Sequence, residues 1–222
     1  MDSKEVTAAV LAGGGSTRMG RNKALLKLGN STMIERVVNP LQGIFNEILV
    51  VTNEPEQYDM LKGVRFVGDC IDAGEKSSLI GLYSGLKRSE TSHIFAIACD
   101  MPFVSTGLIK YMVNLLKDED VIVPFVNTAS NECMMSLLKN ENLVVPSSKK
   151  HYQPLHAIYG KSCIPEFEML LEKGKYKITS AFENVKTKKI TEKEVKGFDP
   201  YMLCFKNINT YEEYLQVTYF FG

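Results

Sequence analysis

A glycine-rich segment with several basic residues lies near the start of this 222-residue chain. It spans residues 11–26, reads LAGGGSTRMGRNKALL, and follows the short apolar run Val6–Leu11, which is typical of a buried strand. Glycines let backbone N–H groups approach a phosphate without a Cβ atom in the way, and Arg18, Arg21 and Lys23 add positive charge. Because open α/β sheets bind ligands at the carboxyl ends of their strands, the segment predicts a polyphosphate site.

Two common phosphate-binding motifs do not fit this segment. A P-loop needs lysine and then serine or threonine after its second glycine, whereas Arg21 and Asn22 follow Gly20 here. The dinucleotide-binding motif needs a third glycine where this chain has Arg18. Both motifs are therefore excluded, and a tight structural turn is the alternative to a binding loop.

A second candidate lies at the end of another apolar run, residues 94–99, which the sequence CDMPF completes. Parallel strands would bring Asp100 of this sequence next to the glycine loop. Mg²⁺ takes oxygen ligands and keeps several waters, so one well-placed carboxylate is enough to hold it. Asp100 is therefore the candidate metal ligand, and capping of the following loop is the structural alternative.

Together these residues suit the transfer of a nucleotidyl group. The α-phosphorus of a nucleoside triphosphate must be held in line with an attacking oxygen while pyrophosphate leaves, and the protein supplies positioning and countercharge. Lys23 is suited to neutralising the triphosphate, and Arg18 to bidentate contact with the departing phosphates. Lys23, Arg18 and Asp100 are thus the candidate catalytic residues.

Strand and helix patterns alternate along the first half of the chain and would position these residues. The predicted strands are residues 6–11, 47–52, 64–67, 94–99 and 121–124. The predicted helices are one that a Thr32–Glu35 capping box opens and that runs to about Leu41, and two over residues 79–87 and 108–116. The alternation predicts right-handed βαβ units, a mostly parallel sheet and an α/β fold of three layers.

The pattern changes after residue 124. Extended segments at 134–138 and 154–159, with a helix over 162–171, predict a mixed extension of the sheet. A second capping box, Thr210 with Glu213, predicts a strand end followed by a helix in FKNINTYEEYLQ. The sequence contains no linker or repeat, so we expect one domain over residues 1–222.

The composition restricts the class of protein. A formal net charge of zero argues against a broad nucleic-acid surface, and the lysine-rich stretch 186–196 is expected to be solvated surface. The N-terminus lacks the features of a signal peptide, and no apolar stretch is long enough to span a bilayer. Five cysteines without a C-x-x-C pair predict a reduced, cytoplasmic chain.

The glycine-rich segment resembles the signature L-A-G-G-x-S-x-R-M-G-x-x-K of the molybdenum cofactor guanylyltransferases, and every fixed position from Leu11 to Lys23 is present. CDMPF also matches the family pattern, in which this aspartate binds the metal. The resemblance implies the nucleotide-diphospho-sugar transferase fold, which is Rossmann-like. It also implies Mg²⁺-dependent transfer of GMP from GTP to the terminal phosphate of molybdopterin or its molybdenum-loaded form, with release of pyrophosphate.

Three further segments resemble the family less closely. Asp69 corresponds to an aspartate near the nucleoside, although two serines at 77–78 replace the Gly-Pro of the following loop. FKNINTYEEY resembles F-x-N-[IV]-N-T-P-E-E, in which Asn207 and Asn209 face the active site, and Gln153 begins a segment near the acceptor pocket. Ordinary turn residues are the structural alternative for Asp69 and for both asparagines.

The resemblance thus implies two sets of binding residues. The nucleotide-binding residues are Leu11, Ala12, Gly13, Gly14, Gly15, Lys23, Asp69 and Asp100. The acceptor-binding residues are Asn207, Asn209 and Gln153. The implied partners are GTP, molybdopterin and, transiently, cofactor-inserting proteins or apo-molybdoenzymes, with neither nucleic acid nor membrane among them.

Two other functions are compatible with the same residues. A cytidylyltransferase acting on the same pterin, or on a sugar or alcohol phosphate, would tend to read L-A-A-G where this chain has glycine at position 13. A non-catalytic adaptor that binds the nucleotide or the pterin would not require both Lys23 and Asp100.

Overall fold

The computed structural model describes residues 5–13, 22–71, 74, 77–127, 149–218 and 221. Its strands are β1 (Val6–Leu11), β2 (Lys27–Leu28), β3 (Ser31–Thr32), β4 (Ile48–Val51), β5 (Arg65–Val67), β6 (His93–Ala98), β7 (Val121–Val126), β8 (His151–Tyr152), β9 (His156–Gly160) and β10 (Thr187–Thr191). Its α-helices are α1 (Met33–Gln42), α2 (Ser78–Arg88), α3 (Thr106–Leu115), α4 (Ile164–Glu172), α5 (Glu192–Lys196) and α6 (Tyr211–Thr218).

Eight of the described strands form one mixed sheet. Its order is β10-β7-β9-β6-β1-β4-β5, with β8 added to β7. The pairs β1–β4, β1–β6, β4–β5 and β7–β10 are parallel, whereas β9 runs antiparallel to both β6 and β7. The prediction of an α/β fold with a mostly parallel, mixed sheet is confirmed.

Strand β1 lies inside the sheet, and its side chains are buried on both faces. Val6, Ala8 and Val10 join the core beneath α1 and α3, while Ala9 and Leu11 join the core beneath α2 and α4. A strand covered on both faces reads as a continuous apolar run, which is why the sequence identified it. The helices on either face make the three predicted layers.

The predicted capping box opens α1. The Thr32 hydroxyl accepts the Glu35 N–H at 3.3 Å, and the Glu35 carboxylate accepts the Thr32 N–H at 2.7 Å. Ser77 caps α2 by accepting the Ile80 N–H at 3.2 Å. A serine in place of the family's usual residue therefore still provides a helix start beside the loop.

Some elements differ from the expectations. Four of the five lysines in the stretch 186–196 are exposed, as expected, but the stretch also contains edge strand β10 and helix α5, which were not predicted and which are each held by one fully buried apolar residue, Ile190 or Val195. No strand end precedes Thr210: residues 206–209 are irregular, although the Thr210–Glu213 capping box forms and opens α6. The predicted strand 154–159 begins only at His156, because the backbone turns at Gln153.

The other predicted elements are present with shifts of one or two residues at their ends, and α4 forms with a short 3-10 turn before it. The extended segment expected at 134–138 lies outside the described residues. Within the described part of the chain, no helix combines the length and the apolar character needed to cross a membrane.

Candidate active site

Three neighbouring parallel strands end at the same edge of the sheet. In the register of the sheet, Leu11 at the end of β1 lies opposite Val51 of β4 and Ala98 of β6. Backbone hydrogen bonds continue beyond the strands: Ala12 N–H donates to Val51 O at 2.9 Å, and Cys99 N–H donates to Leu11 O at 3.1 Å. The start of the glycine loop and the CDMPF turn are therefore held side by side, as the parallel topology predicts.

A cavity of about 430 Å³ opens at this edge. The sequence-predicted residues that line it are Leu11, Ala12, Gly13, Lys23, Asp69, Asp100, Asn207 and Asn209. Gln153 is outside this lining, and its N–H donates to Pro124 O at 2.9 Å. Gly14, Gly15 and Arg18 lie outside the described residues.

Other lining residues were not named as site residues, although Leu155 belongs to the segment, beginning at Gln153, that the resemblance puts near the acceptor pocket. Val51 and Ala98 end strands beside β1, and Leu155 precedes β9, whose antiparallel direction brings its start to the same edge. Ser78 and Gly81 belong to the first turn of α2. The strand pattern could have indicated the two parallel strand ends, whereas the place of Leu155 depends on the reversed direction of β9.

Lys23 and Asp100, which both line the cavity, form a mostly buried ion pair. Lys23 Nζ lies 3.6 Å from Asp100 Oδ2, and the two side chains are 17% and 19% exposed. Lys23 Nζ also lies 3.3 Å from Ile208 O and 3.4 Å from Asn209 Oδ1. Burial raises the pKa of the Asp100 carboxyl above its usual value, although the Lys23 ammonium opposes the shift.

Two oxygen atoms of the site are buried without a hydrogen-bond partner among the described residues, namely Asp100 Oδ1 and Asn207 Oδ1. Buried polar atoms are normally satisfied by protein, water, ligand or an ion. The described ranges contain no cluster of three or more histidine, cysteine, aspartate or glutamate residues that could hold a metal by themselves. A metal here would therefore depend on few protein ligands and on substrate or water oxygens.

Asp69 is fixed at the cavity by Asn53. Asn53 Nδ2 donates to Asp69 Oδ2 at 2.8 Å, and the Asp69 N–H donates to Asn53 Oδ1 at 2.8 Å. This reciprocal pair joins the segments that follow β4 and β5, so the carboxylate is held by two neighbouring strand ends.

Residues 206–209, which contain Asn207 and Asn209 and are called the asparagine loop below, are held by hydrogen bonds from two sides. Ile208 N–H donates to Asp100 O at 3.0 Å, which ties the loop to the CDMPF turn. Glu213 in the first turn of α6 accepts the N–H groups of Asn209 at 2.7 Å and Thr210 at 3.1 Å, and it pairs with Lys206. These contacts bring residues 23, 100 and 209, which are far apart in the sequence, together in one site.

Comparison with known proteins adds independent findings. The family model described as MobA-like NTP transferase domain matches residues 8–187. A protein of Natranaerobius thermophilus named "Probable molybdenum cofactor guanylyltransferase" is 33% identical over 220 residues, covering 98% of this chain and 97% of its own. A "Molybdenum cofactor guanylyltransferase" of Desulfosudis oleivorans is 31% identical over 210 residues, covering 94% and 92%.

Two solved structures share the fold. Molybdopterin-guanine dinucleotide biosynthesis protein A from Archaeoglobus fulgidus matches with a TM-score of 0.74 and 21% identity, over 97% of this chain and 98% of that one. The 2-C-methyl-D-erythritol 4-phosphate cytidylyltransferase from Thermus thermophilus matches with a TM-score of 0.70 and 14% identity, over 97% and 98%. At these identities both structures show the fold alone.

Proposed function

This chain belongs to the MobA-like NTP transferase family, and on that premise we propose that it is a molybdenum cofactor guanylyltransferase. It transfers GMP from GTP to the terminal phosphate of molybdopterin or its molybdenum-loaded form and releases pyrophosphate. One observation carries the proposal: the cavity at the end of β1 is lined by Gly13, Lys23, Asp100 and the two asparagines of the 206–209 loop. These are the residues that the sequence resemblance assigns to nucleotide and acceptor.

The reaction needs positioning more than covalent chemistry. An oxygen of the acceptor phosphate attacks the α-phosphorus of GTP, the bond from that phosphorus to the β-phosphate oxygen breaks, and pyrophosphate leaves with the electron pair. The Lys23 ammonium lies in the cavity lining, where it neutralises charge on the triphosphate. We propose that Arg18 assists it at the leaving phosphates.

We propose that the divalent cation of this reaction is Mg²⁺ and that Asp100 holds it. The donor set fits, because Asp100 Oδ1 and Asn207 Oδ1 are buried oxygens that lack a partner among the described residues and belong to residues of one cavity lining. Mg²⁺ prefers oxygen ligands and completes its shell with water and phosphate oxygens. When bound, it would neutralise part of the triphosphate charge.

A nucleotide panel tests the proposal directly. Thermal unfolding of the protein is measured with GTP, CTP, ATP or UTP in the presence of Mg²⁺, and GMP transfer to molybdopterin is followed with α-phosphate-labelled GTP. A ligand at a hundred times its dissociation constant adds roughly 2.7 kcal/mol of apparent stability. Selective stabilisation by GTP with labelled product is expected, whereas preference for CTP supports the cytidylyltransferase alternative, and binding without transfer supports an adaptor.

Three broader predictions accompany this function. We propose that residues 1–222 form one catalytic domain, and that it works in the cytoplasm, as the cysteine pattern predicts. We also propose that it contacts cofactor-inserting proteins or apo-molybdoenzymes transiently when it delivers its product. Fractionation and crosslinking in cells would check the last two points.

A further inference from the structure

One buried hydroxyl contacts two residues of the glycine-rich segment that are far apart in it. Tyr58 ends a 3-10 turn, Pro55–Tyr58, after β4, and its side chain is 1% exposed in the core beneath α1. Its hydroxyl lies 3.2 Å from Ala12 O, before the four glycines at 13–20, and 2.9 Å from Asn22 Nδ2, after them. Residues separated by ten positions in the sequence are thus joined through a third one that belongs to the core.

Asn22 carries this contact to Lys23. Its Oδ1 accepts the Ala24 N–H at 3.1 Å and so caps the 3-10 turn Lys23–Leu25. Its Nδ2 donates to Tyr58 Oη and, at 2.6 Å, to Gln57 Oε1. The Asn22 side chain therefore links the turn that carries Lys23 to the side chains of Tyr58 and Gln57. From this turn Lys23 reaches Asp100.

The direction of the Tyr58 hydrogen bonds is determined by chemistry. The Asn22 amide nitrogen is a donor only and Ala12 O is an acceptor only, so the hydroxyl accepts from Asn22 and donates to Ala12. Burial raises the pKa of Tyr58 to about 12, and the hydroxyl thus keeps its proton at neutral pH. Removal of the hydroxyl would leave a backbone acceptor and an amide donor short of a partner.

We propose that Tyr58 and Asn22 are positioning residues for nucleotidyl transfer, which hold Ala12 and the turn that begins at Asn22 together and fix Lys23 opposite Asp100. The proposal rests on the proposed function, because it assigns Lys23 to the triphosphate. A small displacement of a countercharge costs rate, since charge stabilisation depends on preorganised geometry.

Substitution Tyr58→Phe removes the hydroxyl and keeps the ring in the core. We expect kcat for GMP transfer to fall roughly tenfold to a hundredfold, the scale of a misplaced catalytic group, with a smaller change in KM for GTP. Tyr83→Phe is the control, because the Tyr83 ring is also buried, in the core on the other face of the sheet, and its hydroxyl donates to the partly exposed Glu168 carboxylate at 2.7 Å, away from the cavity. Equal losses of kcat in the two variants would overturn the proposal.

Asn22→Ser tests the other partner. Serine still caps the turn but lacks the amide donor to Tyr58 and Gln57. In a double-mutant cycle with Tyr58→Phe, we expect the double variant to lose little more kcat than either single variant, since both remove the same contact. Additive losses would show that the two residues act separately and would contradict the proposal.

A final measurement needs no substrate. Trypsin is added to the folded proteins, and cleavage after Arg18 and Arg21 is quantified by mass spectrometry. Each protein is digested at a temperature equally far below its own melting temperature. We expect cleavage of Tyr58→Phe to be several times faster than cleavage of the parent and of Tyr83→Phe. Unchanged cleavage of Tyr58→Phe would overturn the proposal even if the parent transfers GMP. If Tyr58→Phe is cleaved faster but the parent transfers no GMP, only the proposed function is overturned.

Discussion

At the residue scale, Lys23 and Asp100 offset each other's charge, and both side chains are mostly buried. Asp100 keeps a carboxylate in a buried position because an ammonium group stands 3.6 Å away, and Lys23 is held by the same carboxylate and by the backbone of the asparagine loop. A triphosphate or a cation entering the cavity competes for these same charges. The pair therefore holds two charges in position for a ligand and is not expected to add much to the stability of the fold.

Lys23→Ala should lower GMP transfer by on the order of a hundredfold, because it removes one preorganised countercharge. The melting temperature should change little, because the Asp100 carboxyl left without Lys23 can take up a proton, and burial already raises its pKa. Lys27→Ala is the control: Lys27 lies four residues further on, and its side chain is exposed. Steady-state transfer assays check the prediction, and near-normal turnover by a folded Lys23→Ala protein would remove Lys23 from the catalytic residues.

Asp100→Asn should weaken the dependence of the rate on Mg²⁺, because an amide is a poorer metal ligand than a carboxylate of the same shape. The fold should tolerate the change, since burial already disfavours the charged form of this group. Titration of Mg²⁺ against rate is the measurement, with Asp118→Asn at an exposed ion pair as control. Identical Mg²⁺ titrations for parent and Asp100→Asn would make Asp100 a structural residue.

Gly13→Ala should reduce the preference for GTP over CTP. Among the described residues, a Cβ atom at Gly13 meets only Val51 O, at 3.8 Å, which is ordinary van der Waals contact, so we expect the crowding to fall on the ligand. A site that pairs with a base edge discriminates strongly, because a misplaced base leaves buried polar groups unpaired. The ratio of the two kcat/KM values measures the effect, with Gly43→Ala as control, and an unchanged ratio places base selection elsewhere.

At the element scale, the site depends on where helices begin. Thr32, Ser77 and Thr210 each cap a helix that starts beside a strand end or a site loop. Sequence reasoning found two of these caps, because serine or threonine followed three residues later by glutamate is a local pattern. It missed β10, since that edge strand, TKKIT, is rich in lysine and has only one fully buried residue.

Helix α6 should control the asparagine loop through Glu213. Glu213→Ala removes an acceptor shared by the Asn209 and Thr210 N–H groups and breaks the pair with Lys206. We expect KM for the molybdopterin acceptor to rise roughly tenfold and stability to fall by about 1 kcal/mol, a typical value for a lost cap. Glu213→Gln, which keeps an acceptor oxygen, should fall between the parent and Glu213→Ala.

Glu194→Ala provides the matched control for that prediction. Glu194 forms the same capping box with Thr191 at the start of α5, and its residue is not part of the cavity lining described above. It should lose similar stability without a change in the acceptor KM. If both alanine variants changed KM alike, the effect would be one of general stability and not of loop position.

At the scale of the whole molecule, local sequence patterns predicted where strands end, but they did not predict contacts between residues that are far apart in the sequence. The run Val6–Leu11 and the CDMPF turn indicated where two parallel strands end, which was enough to bring Gly13 and Asp100 together. The contact of Tyr58 with Ala12 spans 46 positions and follows from no motif. Such contacts depend on how the loops after neighbouring strands pack, which a single sequence does not encode in a periodic pattern.

The environment of His156 also depends on packing between distant parts of the chain, and it affects the stability of the whole protein. Its ring is fully buried, with Phe95 and Phe205 edge-on at 5.2 Å on either side. Among the described residues, neither ring nitrogen has a hydrogen-bond partner. Burial lowers the pKa of His156 to about 3, so the folded protein keeps this ring neutral at any pH above that value.

Acid should therefore destabilise the protein through His156. Below pH of about 6.5 the unfolded chain binds a proton at this histidine that the folded protein does not, so the free energy of unfolding falls with pH by up to about 1.4 kcal/mol per unit, down to about pH 3. Carboxylates add their own acid dependence, and the informative quantity is the difference between the parent and His156→Leu. Denaturant unfolding at pH 6 and pH 5 should show the parent losing about 1 kcal/mol more than this variant, while exposed His151→Gln behaves like the parent. Parallel losses in parent and His156→Leu would mean that His156 becomes protonated inside the folded protein.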